Sequence, residues 1–223
     1  MTTTTSTPKS LAAFASPALG VAHPSVSCLI KRSLDILGSC VGLFVLAIML
    51  VPIAIAIKIE SPGPVFYSQL RHGLHGQQFR IWKFRSMVQN ADELKTLVKN
   101  EVQGQIFKNE NDPRITRVGQ FLRRTSLDEF PQFWNVLRGD MSLVGTRPPT
   151  PDEVAKYEEH HWERLNVKPG ITGQWQVSGR SSIKDFEEVV KLDLLYQERW
   201  HPFYDVQLLF KTVLHLLSRS DAY

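Results

Sequence analysis

From Ile36 to Ile57 the chain carries no charged residue, and this stretch constrains everything else that can be built around it. It is long enough to cross a hydrocarbon core, which takes about 20 helical residues. Pro52 lies deep within it; the missing N–H and the ring's clash with the preceding turn predict a kink there. Lys31 and Arg32 precede the run, and Lys58, Arg71, Arg80 and Lys83 follow it, so cations draw both ends to the same side of a membrane. A kinked helix that enters and leaves one leaflet satisfies both ends, whereas a straight span satisfies one; the residues alone leave the two readings open. Gly38 and Gly42 form a G-x-x-x-G spacing that suits a helix homodimer or close packing within the protein.

The rest of the chain is of ordinary globular composition. Its 26 Lys and Arg against 22 Asp and Glu give a net charge of +4, which favours phosphates or acidic headgroups as partners. The cations are scattered and no finger, homeodomain or RNA-binding signature is present, so nucleic acid is not an expected partner. Cys28 and Cys40 are too few for a disulfide framework and have no metal-ligand spacing, which suits a reducing, cytoplasm-facing site. Residues 1–29 open on a Thr tract and continue in Ser, Ala and Pro, a composition expected of a disordered tail. A signal peptide is the competing reading, but Pro17 interrupts its apolar part and a far stronger apolar segment follows.

Downstream, Glu60-Ser-Pro-Gly-Pro64 is a turn cluster, and Val65–Gln69 and Gln78–Phe84 read as the strands of a hairpin. Helical periodicity is expected over Asn90–Asn100, Val118–Arg124, Ser126–Leu137, Asp152–Arg164, Ile183–Glu198 and Tyr204–Arg219. The last carries a broad apolar face suited either to the headgroup region or to an ordinary core. This predicts a mainly helical α+β fold with a small β-hairpin: membrane helix 30–60, then one domain over 61–223.

The chemistry centres on Asp128 and Glu129. Ser126 with Glu129 three residues later is a capping-box pattern, and Asp128 is an alternative cap that places Pro131 in the first turn. Either register puts both carboxylates at the positive end of a helix, where ionised carboxylates and phosphates are favoured; a helix cap with no chemistry is the plain alternative. Lys83 and Arg85 alternate on a strand and so share a face, as a two-point phosphate clamp requires. Arg123 and Arg124 precede the acidic pair, Arg147 is held before two prolines, and Lys168–Gln176 with Ser178-Gly-Arg180 offers turns, donors and an aromatic for a nucleotide or sugar.

Taken in order, Lys31-Arg-Ser-Leu-Asp35, Gly63-Pro-Val-Phe66, Lys83-Phe-Arg-Ser-Met87, Ser126-Leu-Asp-Glu-Phe-Pro-Gln132, Asn135–Pro148 and Lys168-Pro-Gly-Ile-Thr-Gly173 resemble the bacterial sugar transferase family, the monotopic phosphoglycosyl transferases. The resemblance implies a monotopic protein with a re-entrant helix broken at Pro52 and interfacial amphipathic helices, on the cytoplasmic face of the bacterial inner membrane. It implies transfer of a sugar-1-phosphate from a UDP-sugar to polyprenyl (undecaprenyl) phosphate with release of UMP, a first membrane step of exopolysaccharide, O-antigen or glycoprotein glycan assembly. Asp128 would be the nucleophile, forming an aspartyl phospho-sugar; Glu129 would assist, Mg2+ would be held by Asp128, Glu129 and Asp193, and Lys83, Arg85, Arg123, Arg147 and Arg180 would meet phosphates. Two departures stand out: Val51 occupies the position of a Ser before Pro52, and Thr146 that of a Pro before Arg147. With only a polar tail ahead of the membrane helix, the chain resembles a small form of the family. A membrane scaffold and a UDP-releasing glycosyltransferase are the rival readings.

Overall fold

The computed structural model describes residues 22–94, 98, 109, 112–179, 183 and 185–218. Most of the tail, residues 95–97, 99 and 100 of the expected Asn90–Asn100 helix, and Arg180 lie outside the described residues. The part of the expected tail that is described belongs to the fold: α1 (Pro24–Ser27) follows His23, whose Nε2 meets the carbonyl of Gln197 at 3.0 Å.

The apolar run forms α2 (Leu29–Glu60), a single helix of 32 residues that continues through Pro52. At 1.5 Å per residue it is about 48 Å long. Among the described residues it is the one helix long and apolar enough, by length and composition, to cross a membrane. Its two faces differ. Leu37, Val41, Phe44, Ile48, Val51 and Ile55 recur every three or four residues and are each more than half exposed. The opposite face is packed from end to end. Ile53 and Ile57 are buried with Phe84 and Leu122, with Leu46 and Met49 beside them. A Cβ on Gly38 would strike Leu143 and one on Gly42 would strike the Phe133 ring, so the G-x-x-x-G spacing serves packing within the protein.

Both ends of α2 are tied to the same folded unit. Lys31, 5% exposed, donates from Nζ to Asp205 Oδ2 at 2.6 Å and to the carbonyl of Val144 at 2.9 Å. Tyr196 and Trp200 donate to the same carboxylate, so both of its oxygens are engaged. Arg32 caps the carbonyls of Val136 and Leu137, and Asp35 accepts from Ser142 Oγ and the Leu143 N–H. At the other end, the Glu60 carboxylate accepts the N–H groups of Arg117 and Val118, the first turn of α3 (Arg117–Arg124).

β1 (Phe66–His72) and β2 (Gln78–Phe84) form the expected hairpin, paired Tyr67 with Lys83 and Arg71 with Phe79. A second, parallel pair, β3 (Ser142–Val144) and β4 (Gly170–Thr172), was not legible as strands, because three residues are too few to show a period. Gly145 and Gly170 meet backbone to backbone there, with no room for a Cβ on either. The fold is mainly helical α+β with two small sheets. It includes α4 (Gln132–Arg138), α5 (Pro151–Val154), α6 (Gln174–Val177), α7 (Phe186–Arg199) and α8 (Pro202–Ser218).

Two helix expectations are corrected. Ser126–Leu137 is not one helix: Ser126 is left-handed (φ 55°), Leu127–Glu129 is a 3-10 turn, and α4 starts only after Pro131, which lacks the N–H to continue a ladder. Asp152–Arg164 is likewise a short α5 followed by a 3-10 segment, Glu159–Leu165. The α3, α7 and α8 expectations stand to within a few residues.

Removing one partner of the buried Lys31–Asp205 pair strands a charge, which typically costs about 3–5 kcal/mol. Thermal melts of detergent-solubilised Asp205→Ala are expected to show that loss, and the double variant Lys31→Met/Asp205→Leu a smaller one than Asp205→Ala.

Candidate active site

The acidic pair sits on a turn held by its neighbours. α3 ends at Arg124, and the left-handed Ser126, a conformation costing a non-glycine residue about 1–3 kcal/mol, turns the chain back towards β2. Leu127 then packs against the core of Ile53, Ile57, Phe84 and Leu122, and Phe133 lies on Gly42 of α2. Asp128 and Glu129 are carried between these two anchors. Ser126 makes no side-chain cap, and neither capping register exists; the site is a strained 3-10 turn rather than a helix N-terminus.

Asp128 is 7% exposed. Glu129 accepts from Lys83 Nζ at 2.8 Å, with both side chains about a quarter exposed, so a cation and the acidic pair meet at the end of β2. One turn back on α3, Arg123 donates from Nε to Ser86 Oγ at 2.9 Å, bringing a second cation to the same strand end. Lys83, Arg123, Asp128 and Glu129 are thus assembled by the Lys83–Met87 and Ser126–Gln132 segments.

Three other expected residues are placed differently. Arg85 lies past the end of β2, buried, and its two terminal nitrogens donate to the carbonyls of Ser61 and Pro62 just after α2. The expected Lys83–Arg85 clamp is therefore not built: Arg85 fastens the hairpin to the end of α2. Arg147 makes a bidentate pair with Glu153, both contacts at 3.0 Å, and lies 6.0 Å from the Trp175 ring. Asp193, expected as a metal ligand, is fully buried and receives Arg164 Nε on Oδ2 at 2.9 Å, with Arg164 Nη2 on the same oxygen. Arg164 also donates to Tyr157 Oη and to the carbonyl of Arg147. A guanidinium occupies the place a cation would take, so Asp193 braces Arg147 from behind and does not fit Mg2+. Asp128 and Glu129 are the carboxylates that would meet a hard cation needing few protein ligands besides phosphate oxygens, Glu129 with Lys83 already on Oε1.

Sequence reasoning passed over Arg71 and Glu153. Arg71 is on the Lys83 face of the hairpin and donates from Nη1 to the carbonyl of Pro148 at 2.9 Å. Burial and the neighbouring Arg147 push its guanidinium down to about 10, while Glu153 and Glu129 oppose the fall. Glu153 closes a capping box with Thr150, a pattern readable as Thr150-Pro-Asp-Glu153. Burial pushes the Glu153 carboxyl up, but Arg147 and the Thr150 N–H outweigh it and hold the group below its usual range.

Among the described residues one group has metal-like spacing, His160, His161 and Glu187, with ligand atoms within 4.8 Å of one another. His161 Nδ1 accepts the Glu158 N–H at 2.9 Å, so the ring proton lies on Nε2 and is donated to Glu187 at 2.6 Å. Both ring nitrogens of His161 are thus engaged, and the Nδ1 lone pair that a metal would take is held by a backbone N–H. The cluster is a hydrogen-bonded tie between the 3-10 segment and α7.

With this geometry in view, comparison with known proteins is decisive. Residues 26–219 match the family model described as bacterial sugar transferase. The chain belongs to that family. It is 49% identical over 194 residues to the galactosyl transferase CpsE of Streptococcus agalactiae serotype III, covering 86% of this chain and 43% of that protein. Identity is 43% over 200 residues to the undecaprenyl-phosphate galactose phosphotransferase of Salmonella typhimurium, covering 87% of this chain and 42% of that protein. It is 39% over 189 residues to the exopolysaccharide production protein ExoY of Rhizobium meliloti, covering 82% and 83%. The chain thus spans less than half the length of the first two relatives and most of the third.

The depressed Glu153 carboxyl stabilises the fold above its unfolded pKa of about 4.3, and that contribution is lost as pH falls through its lower folded value. Glu153→Gln is expected to melt earlier than the unaltered chain near neutral pH. The gap between the two melting temperatures should narrow as the pH drops from about 5 to about 3.

Proposed function

We propose that this sugar transferase is a phosphoglycosyl transferase that moves a sugar-1-phosphate from a UDP-sugar to polyprenyl phosphate and releases UMP. The observation that carries the reading is the acidic pair, held on a strained turn with Glu129 on Lys83 and with Arg123 tied to Ser86 near the same strand end, beside a long helix that faces outward with an apolar stripe. The names of the Salmonella and Rhizobium relatives support undecaprenyl phosphate as acceptor, a hexose as the sugar and exopolysaccharide as the product pathway.

In this reading an Asp128 carboxylate oxygen attacks the phosphorus nearest the sugar. The bond from that phosphorus to the UMP oxygen breaks, and UMP departs with the electron pair. An oxygen of the lipid phosphate then attacks the same phosphorus, freeing Asp128 and yielding polyprenyl diphosphate sugar. The Lys83 ion pair fixes Glu129 beside the nucleophile, while Arg123 and Arg147 bring positive charge to the phosphates. Asp128 and Glu129 would hold Mg2+, which when bound supplies further charge neutralisation on the diphosphate.

A lipid acceptor requires the site at headgroup depth. A straight crossing would put the ends of α2 on opposite sides of the bilayer, yet one folded unit grips Lys31 and Asp35 at one end and Ile57 and Glu60 at the other. This supports a re-entrant helix that enters and leaves one leaflet, bent by Pro52, with the catalytic domain on the cytoplasmic face. α8 supports the same placement: Asp205 and Leu208 are buried on its inner side, while Phe203, Phe210 and Leu217 are exposed on its outer side.

Incubation with a UDP-hexose and Mg2+ but no lipid should release UMP up to one equivalent per enzyme, and Asp128→Asn should abolish it. Release of UDP, or UMP turnover that survives in Asp128→Asn, would overturn the reading.

A further inference from the structure

Arginines that only brace this fold have evident counter-charges. Arg114 sits on Asp112 and Arg164 on Asp193. Arg85 has no carboxylate, but it binds carbonyls at the C-terminal end of α2, the negative end of a helix. Arg71 has neither. Its acceptors are the Pro148 carbonyl and the Gln69 amide oxygen at 2.7 Å, both neutral, and its buried Nε has no partner among the described residues. No helix ends at those acceptors.

Its position is defined from two sides. In the hairpin register Gln69 and Arg71 share the face of Lys83, and the bond from Nη2 to Gln69 draws the guanidinium back along the strand towards Lys83 and its partner Glu129. The bonds from Nη1 to Pro148 and from the His72 N–H to the Pro149 carbonyl fasten this end of β1 to the residues just after Arg147. Arg71 and Arg147 are therefore neighbours, and one carboxylate, Glu153, is already engaged by both nitrogens of Arg147 and by the Thr150 N–H. Burial first, and Arg147 after it, lower the Arg71 guanidinium against the pull of Glu153 and Glu129, in keeping with that crowding. Two guanidinium groups held together around one occupied carboxylate are stabilised by a further anion.

We propose that Arg71 is a phosphate-binding residue, forming with Arg147 a two-guanidinium shelf for a diphosphate on the Glu129 side of the hairpin. The identity of the guest rests on the transferase reading; the surplus positive charge does not. A diphosphate reaches the shelf either in the nucleotide sugar or in the polyprenyl diphosphate product, and the shelf chemistry is common to both.

The test uses the full chain in detergent micelles, with titrations of inorganic pyrophosphate, UDP and farnesyl diphosphate read by calorimetry and by the ligand-induced rise in melting temperature. Arg71→Gln should weaken pyrophosphate binding by about tenfold or more, the loss of about one charge-assisted hydrogen bond. Arg71→Lys, which keeps the charge but not the planar fork, should fall between, with an unliganded melting temperature close to that of the unaltered chain. Arg138→Gln, an exposed arginine beside Asp140, should bind as the unaltered chain does. A matching loss with UDP assigns the shelf to the nucleotide end, with farnesyl diphosphate to the product end, and either supports it. Unchanged pyrophosphate affinity in Arg71→Lys and Arg71→Gln, or no pyrophosphate binding by the unaltered chain, overturns it. If Arg71→Gln does not melt cooperatively, Arg71→Lys carries the comparison. A chain that binds pyrophosphate through Arg71 but releases no UMP from any UDP-sugar overturns the transferase reading and leaves the shelf standing.

Discussion

The buried ammonium of Lys31 is the interaction on which the rest of the architecture depends. An isolated charge at that depth would be intolerable, and it is made tolerable by one carboxylate and one carbonyl drawn from distant parts of the chain. Because the carboxylate of Asp205 is also held by Tyr196 and Trp200, α7, α8 and β3 are brought to one point beneath the start of α2. The long helix is thereby a structural member of the domain, and its outward stripe is defined by what the inner face already occupies.

From that frame the acidic turn acquires its position. Leu127 and Phe133 are each anchored against residues of α2 or its core, so the same helix that supplies the apolar surface also fixes the turn carrying Asp128 and Glu129. The cations come from other directions: Lys83 from the hairpin onto Glu129, and Arg123 from the preceding helix, tied to Ser86 near the same strand end, while Arg147, in the loop after β3, lies on Glu153. Each is aimed by a neutral or anionic neighbour, Ser86 for Arg123 and Glu153 for Arg147.

Much of this was legible in the residues. The apolar run, the hairpin, α3, α7 and α8 announce themselves by period, and the acidic pair by its company of ordered motifs. Illegible features are those decided by partners far away in sequence. Nothing local distinguishes Arg85, whose acceptors are carbonyls 23 and 24 residues earlier, from Lys83, whose acceptor is a carboxylate 46 residues later. Asp193 reads as a ligand until Arg164 is found upon it. The capping pattern at Ser126 failed because Pro131 and the left-handed Ser126 together prevent a helix from starting there, and β3 was missed because its length is below any period.

The sequence separations of the bonds at the two ends of α2 differ in a way that bears on how such a protein is made. Glu60 finds its partners on α3 after 57 and 58 further residues, whereas Lys31 waits 113 residues for Val144 and 174 for Asp205. During synthesis from the N-terminus the partners of the later end are made first; those of Arg32 and Asp35 follow with residues 136–143, and the Asp205 partner of Lys31 comes last, with α8. An apolar helix held at one end only must be sheltered in the interval. The last bond at the start of the long helix is thus closed by a residue near the end of the described fold.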